Sequence, residues 1–177
     1  MEKYFNYFKF LIIINLAIFI FLNPIIRDDS NNMSYVDILL KNNVNLISLN
    51  GEEISFIKLL NEKPTLIFIF SQPCSPCERN IVLWKRLYSI LNRINCNIRI
   101  FGLILNQPGK EKEVEKLNLN FEVYYLSYEA IQLLKNSKYN INASQTILYK
   151  QGIKLYFVGN LTLKDVNCIL LFCKNLS

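Results

Sequence analysis

The apolar run Leu66-Ile67-Phe68-Ile69-Phe70 leads within four residues to Cys74-Ser75-Pro76-Cys77, and a helical pattern opens near Glu78. An unbroken apolar run of strand length needs cover on both faces, so this stretch asks for a central strand between two layers. Two cysteines at a strand-to-helix junction can close a disulfide with little backbone movement. The unpaired N–H groups of a helix start also favour a thiolate at the first of them.

Composition narrows the chemistry around this junction. The 177 residues suffice for one domain plus an appendage, and 51% are apolar, enough for a sizeable core. There is no histidine, which removes imidazole general bases, Cys-His and Ser-His pairs, and metal or haem sites that need imidazole. Net charge is +6, but no basic block interleaves with aromatics, which argues against nucleic acid as a partner. We read the abundance of Asn, Ile and Lys as a coding bias. Internal repeats, low-complexity segments, a P-loop and a Gly-rich dinucleotide fingerprint are all absent.

The cysteines are 74, 77, 96, 168 and 173, an odd number that leaves at least one unpaired. Cys96, at the start of an expected strand, reads either as a small buried hydrophobe or as a third redox thiol. Cys173 falls in register with Val166, Ile169 and Leu170, as a core residue would. On a continuous helix, Cys168 and Cys173 lie roughly 8–9 Å apart at Cα. That is beyond the ~7 Å limit of a disulfide, so the two do not pair.

Three segments precede and include the body. Residues 1–26 read as an N-terminal membrane anchor or signal. Phe10 to Leu22 is apolar except for Asn15, and Asn23-Pro24 interrupts before Ile25-Ile26. Phe10 to Ile26 is 17 residues, the lower edge of a span. Lys3 and Lys9 ahead of it favour an inside N-terminus with the body exported. No small-residue cleavage site follows, which favours an uncleaved anchor over a cleaved signal or a buried helix. Residues 27–44 read as a polar, Asn-rich linker with a short amphipathic piece around Val36–Leu40, and residues 45–177 as the domain.

Within the domain, Leu46–Leu49 and Ile54–Phe56 form a hairpin about a tight Asn50-Gly51 turn. Thr65–Phe70 is a strand, Glu78–Ile94 a helix with Ile81, Val82, Trp84, Leu87, Tyr88 and Leu91 on its apolar spacing, and Ile98–Leu105 a strand. Gly109–Leu117 is a charged helix, Phe121–Leu126 a strand and Ser127–Lys135 a helix. Thr146–Tyr149 and Lys154–Val158 form a hairpin about Gln151-Gly152, and Leu163–Lys174 is a closing helix. The order implies an α/β fold with a mixed central sheet and helices on both faces.

This order, with Phe70-Ser71-Gln72-Pro73-Cys74-Ser75-Pro76-Cys77 at its centre, resembles the thioredoxin superfamily. The extra N-terminal hairpin and membrane anchor make it similar to the TlpA/ResA-type thiol–disulfide oxidoreductases, with the MauD-like redoxins as near neighbours. The resemblance spans about Val44 to Asn175. It implies Cys74 as nucleophile and Cys77 as resolving thiol, with Pro73, Ser75 and Pro76 shaping the motif, and no cofactor or resident metal. Implied partners are protein thiols and disulfides, and a membrane electron-transfer protein that feeds a reductant. The implied location is the cytoplasmic membrane, single-pass, with the domain on the outer face.

Three departures from the family stand out. Pro73 replaces the usual Trp before the first cysteine. The strand Thr65–Phe70 carries no acid to help move the proton of the second thiol. The family's cis-proline opposite the motif is missing, and Gln145, followed by Thr146, takes that place as the expected substrate loop. A cis bond before a non-proline costs ~3–4 kcal/mol, so trans is the default for Ser144-Gln145. Three other readings remain at this stage. One is a static disulfide on the same scaffold. Another is a metallochaperone holding Cu(I) or Zn between Cys74 and Cys77. The third is a redox-inactive docking module whose apolar stretch Cys168–Cys173 meets a partner.

Overall fold

The computed structural model describes residues 35–71, 75–105, 114–136, 144–150 and 152–174. The expected anchor, most of the expected linker and most of the expected Gly109–Leu117 helix lie outside these. Among the described residues no helix is long and apolar enough to cross a membrane. The elements are α1 (Tyr35–Lys41), β1 (Asn45–Ser48), β2 (Glu53–Ser55), α2 (Phe56–Glu62), β3 (Thr65–Phe70), α3 (Ser75–Arg93), β4 (Arg99–Ile104), β5 (Glu122–Leu126), α4 (Tyr128–Asn136), β6 (Gln145–Lys150), β7 (Ile153–Val158) and α5 (Leu163–Lys174).

The strands form one mixed sheet in the order β2-β1-β5-β4-β3-β6-β7. β3, β4 and β5 run parallel, and the remaining pairs are antiparallel. All six residues of β3 are buried, which is why its sequence never alternates. Ile67 and Ile69 join the cluster formed by Tyr35, Leu39, Phe56, Leu60 and Ile131 from α1, α2 and α4. Phe68 and Phe70 point the other way, onto Trp84 of α3, at ring-centroid distances of 4.9 Å and 5.6 Å. Helices therefore cover both faces, as expected. Gly102 of β4 makes room on the α3 face, because a Cβ there would stand 3.1 Å from both the Phe70 and Phe121 rings.

Four expectations about the fold are corrected. The linker does not extend to residue 44, because Tyr35, Val36, Ile38 and Leu39 are buried in the core and Asp37 pairs with Lys154 of β7. The polar Asn42-Asn43 that suggested a linker is a helix cap. Asn43 takes φ 49, and the Val44 N–H returns to the Leu39 carbonyl at 3.2 Å.

The first hairpin's second strand ends at Ser55, not Phe56. Ser55 caps α2 by accepting the Lys58 N–H, and Phe56, Leu59 and Leu60 at helical spacing turn inward. The hairpin turn is longer than Asn50-Gly51 alone. Ser48 accepts from the Gly51 N–H at 3.0 Å, and Gly51 closes the loop at φ 83, which favours a residue with no Cβ. In α3, Val82 is 52% exposed rather than on the apolar face.

Candidate functional site

The site lies where the parallel strands end. β3 stops at Phe70, and α3 begins at Ser75. Gln72, Pro73 and the expected nucleophile Cys74 fall outside the described residues. Ser75 and Pro76 lie in the first turn of α3, where proline's missing N–H leaves no hydrogen bond unmade. Cys77, one step further, is 2% exposed and disulfide-bonded. Its sulfur stands 3.5 Å from the carbonyl oxygen of Ser71. Once the disulfide is reduced, the Cys77 S–H can donate to that oxygen.

A buried amide fixes this helix turn to the rest of the site. Asn80, three residues after Cys77, is fully buried. Its Nδ2 donates to Ser144 Oγ at 2.6 Å and to the Gly159 carbonyl at 2.7 Å, and its Oδ1 accepts the Leu161 N–H at 2.9 Å. The Gly159 N–H in turn donates to the Ser144 carbonyl at 2.8 Å. Both amide protons of Asn80 and its oxygen therefore have partners. One side chain thus joins α3, the start of β6 and the β7–α5 connection. One turn on, Trp84 Nε1 donates to Thr146 Oγ1 at 2.9 Å.

The two expected substrate-loop residues separate in role. Gln145 pairs with Ile69 of β3 at the end of the sheet nearest Cys77 and is half-buried. The same register sets Ser144 beside Phe70. Thr146 does not face a substrate, because its side chain is 1% exposed and its hydroxyl accepts from Trp84. The strand period of two turns it onto the α3 face.

Sequence reasoning missed Asn80 and Ser144. A signal for Asn80 was present. It stands three residues after Cys77 and four before Trp84, on the stripe that α3 buries, where an amide needs partners.

Among the described residues the buried polar or charged side chains are Thr65, Asn80, Ser144 and Thr146, none of them an acid. No three Cys, Asp or Glu side chains gather there as metal ligands. Cys96, Cys168 and Cys173 are free thiols. Burial pushes the Cys168 thiol up from its ordinary pKa, and Asp165 adds to the shift.

Comparison with protein-family models finds no match, and comparison with curated proteins finds none either. Solved structures do match. The thioredoxin domain of a thiol-disulfide oxidoreductase from Bacteroides vulgatus superposes with a TM-score of 0.59 at 17% identity, over 73% of this chain and 92% of that one. A secreted disulfide oxidoreductase of Mycobacterium tuberculosis, homologous to E. coli DsbE, gives 0.56 at 14% identity, over 79% and 98%. BsSco, of the Sco family of cytochrome c oxidase assembly proteins, gives 0.53 at 17% identity, over 75% and 90%. At these identities the likeness establishes the fold, which is thioredoxin-like.

Proposed function

We propose that this chain, built on a thioredoxin-like fold, is a thiol–disulfide oxidoreductase working through Cys74 and Cys77. The observation that carries the reading is Cys77 itself, buried, disulfide-bonded and in the first turn of the helix that follows the central strand. We take Cys74 as its partner in that disulfide. In the reduced chain Cys74, at the helix start, attacks a substrate disulfide as thiolate. One substrate thiolate leaves and a mixed disulfide forms. Cys77 then gives up its proton to solvent and attacks the Cys74 sulfur, and the second substrate thiolate leaves. The substrate gains two electrons and the chain's pair is oxidised, so a dithiol donor must restore it. The second attack is intramolecular, which gives Cys77 a high effective concentration.

We further propose that the pair acts as a reductant outside the cytoplasmic membrane, fed by a membrane electron carrier. The apolar Phe10–Leu22 stretch behind Lys3 and Lys9 supports that placement.

The test is trapping in cells. Cys77→Ser should accumulate mixed disulfides on Cys74, and Cys74→Ser should capture nothing. A Cys77→Ser chain that holds no partner overturns the exchange mechanism. A purified wild-type pair should titrate reversibly between about −300 and −120 mV, the span of exchange-active pairs. A pair that stays oxidised throughout under native conditions would instead be a static disulfide.

A further inference from the structure

Two further cysteines meet at the opposite end of α3 from Cys77. The helix stops in a left-handed cap, with Asn95 at φ 50 and the Cys96 N–H returned to the Leu91 carbonyl at 3.0 Å. This hook lays Cys96 against the last turn of α5, where its sulfur is 3.7 Å from the Cys173 carbonyl oxygen. Cys173 is 1% exposed and Cys96 is half-buried, and both are free. We propose that Cys96 and Cys173 form a second disulfide, a staple that ties the end of α5 to the α3–β4 loop.

The chemistry needs an oxidant, and a small external disulfide such as oxidised glutathione supplies it. Cys96 is the more exposed sulfur. It loses its proton to solvent and attacks the small disulfide, and one small thiolate leaves. Cys173 then loses its proton to solvent and attacks the Cys96 sulfur, releasing the second small thiolate. The chain gives up two electrons, and the small disulfide is reduced to two thiols.

The surroundings set the character of this bond. Burial, and then its contact with the Cys96 thiol, push the Cys173 thiol well above its ordinary pKa. Such a thiol attacks slowly and leaves poorly, so the staple forms slowly and resists reduction, unlike a pair built for exchange. The bond joins residues 77 apart, and closing a long loop restrains the unfolded chain more than closing a short one. It also resolves the odd cysteine count. With Cys74 and Cys77 assigned to exchange, Cys168 is the thiol left over.

The experiment uses the full chain carrying Cys74→Ser and Cys77→Ser, so that its result does not depend on exchange activity. The protein is reduced, equilibrated with oxidised glutathione, unfolded in an alkylating agent and digested. The three free thiols, Cys96, Cys168 and Cys173, should fall to one, with a peptide linking Cys96 to Cys173 and a Tm above that of the reduced form. Adding Cys96→Ser should abolish both the link and the rise in Tm. If the double variant does not fold, the wild-type chain should fall from five thiols to one under the same treatment. A count that stays at three, a link through Cys168, or glutathione held on Cys96 with Cys173 still free overturns the proposal.

Discussion

The two faces of the sheet are held by different forces. Beneath α1, α2 and α4, the contact is a continuous apolar cluster from Tyr35 to Tyr149, and its strength comes from area removed from water. Beneath α3, aromatic stacking is joined by directional bonds that Asn80 and Trp84 donate to Ser144, Gly159 and Thr146 and that Asn80 accepts from Leu161. Apolar packing tolerates small displacements, whereas a buried amide with three partners fixes position. The face that carries Cys77 is the one that uses them.

That contrast yields graded expectations. Phe56→Ala, on the apolar face, should cost about 3–5 kcal/mol in denaturant unfolding. It should leave the reduction potential of the Cys77 pair where it was in the folded protein. Asn80→Ala should cost less in stability, about 2–4 kcal/mol, from the partners left unsatisfied. Unlike Phe56→Ala, it should change the potential and the proposed exchange rate, because it frees the β6 start from α3. An Asn80→Ala chain with wild-type potential would reduce the amide to a purely structural lock. Gly102→Ala should cost about 1–3 kcal/mol by pressing on Phe70 and Phe121, read as a shift in the denaturation midpoint.

The smallest effect concerns the rim of the apolar face. A hydrogen bond from Arg99, 2.6 Å away, holds the Glu62 carboxyl below its ordinary pKa. Its contribution is therefore present above the unfolded carboxylate pKa and fades as pH falls through the lower folded value. Glu62→Gln should be slightly less stable than wild type at neutral pH, and the gap should close in acid.

Much of this was legible in the sequence, for reasons that particular residues make plain. β3 announced itself by being apolar at every position, and α5 was read with its observed bounds, Leu163–Lys174. The β6–β7 hairpin was placed to within a residue at each end. Helix α2 was missed, and α1 was read only as a short amphipathic piece of the linker, because seven residues hold barely two turns of periodicity.

The asparagines misled in another way. Read as coding bias, three of them, Asn43, Asn95 and Asn118, take positive φ, where a short polar side chain is tolerated at helix and turn ends. Thr146 lay on the expected loop, but only the register with Phe68 reveals that its hydroxyl turns inward. The place of Asn80 on the buried stripe of α3 could be read, but its partners could not, because Ser144, Gly159 and Leu161 lie 64 to 81 residues away along the chain.

The strand order also dictates when the site can exist during synthesis. β3 lies between β4 and β6, so the strand leading to the cysteines waits for a neighbour made some eighty residues later, with Thr65 set against Tyr149. Such distant pairings fold slowly. Until Ser144 emerges, Asn80 has no loop to hold, and the thiols of the Cys77 site are open to any disulfide they meet. A growing chain of this design completes the surroundings of Cys77 only once β6 has been made.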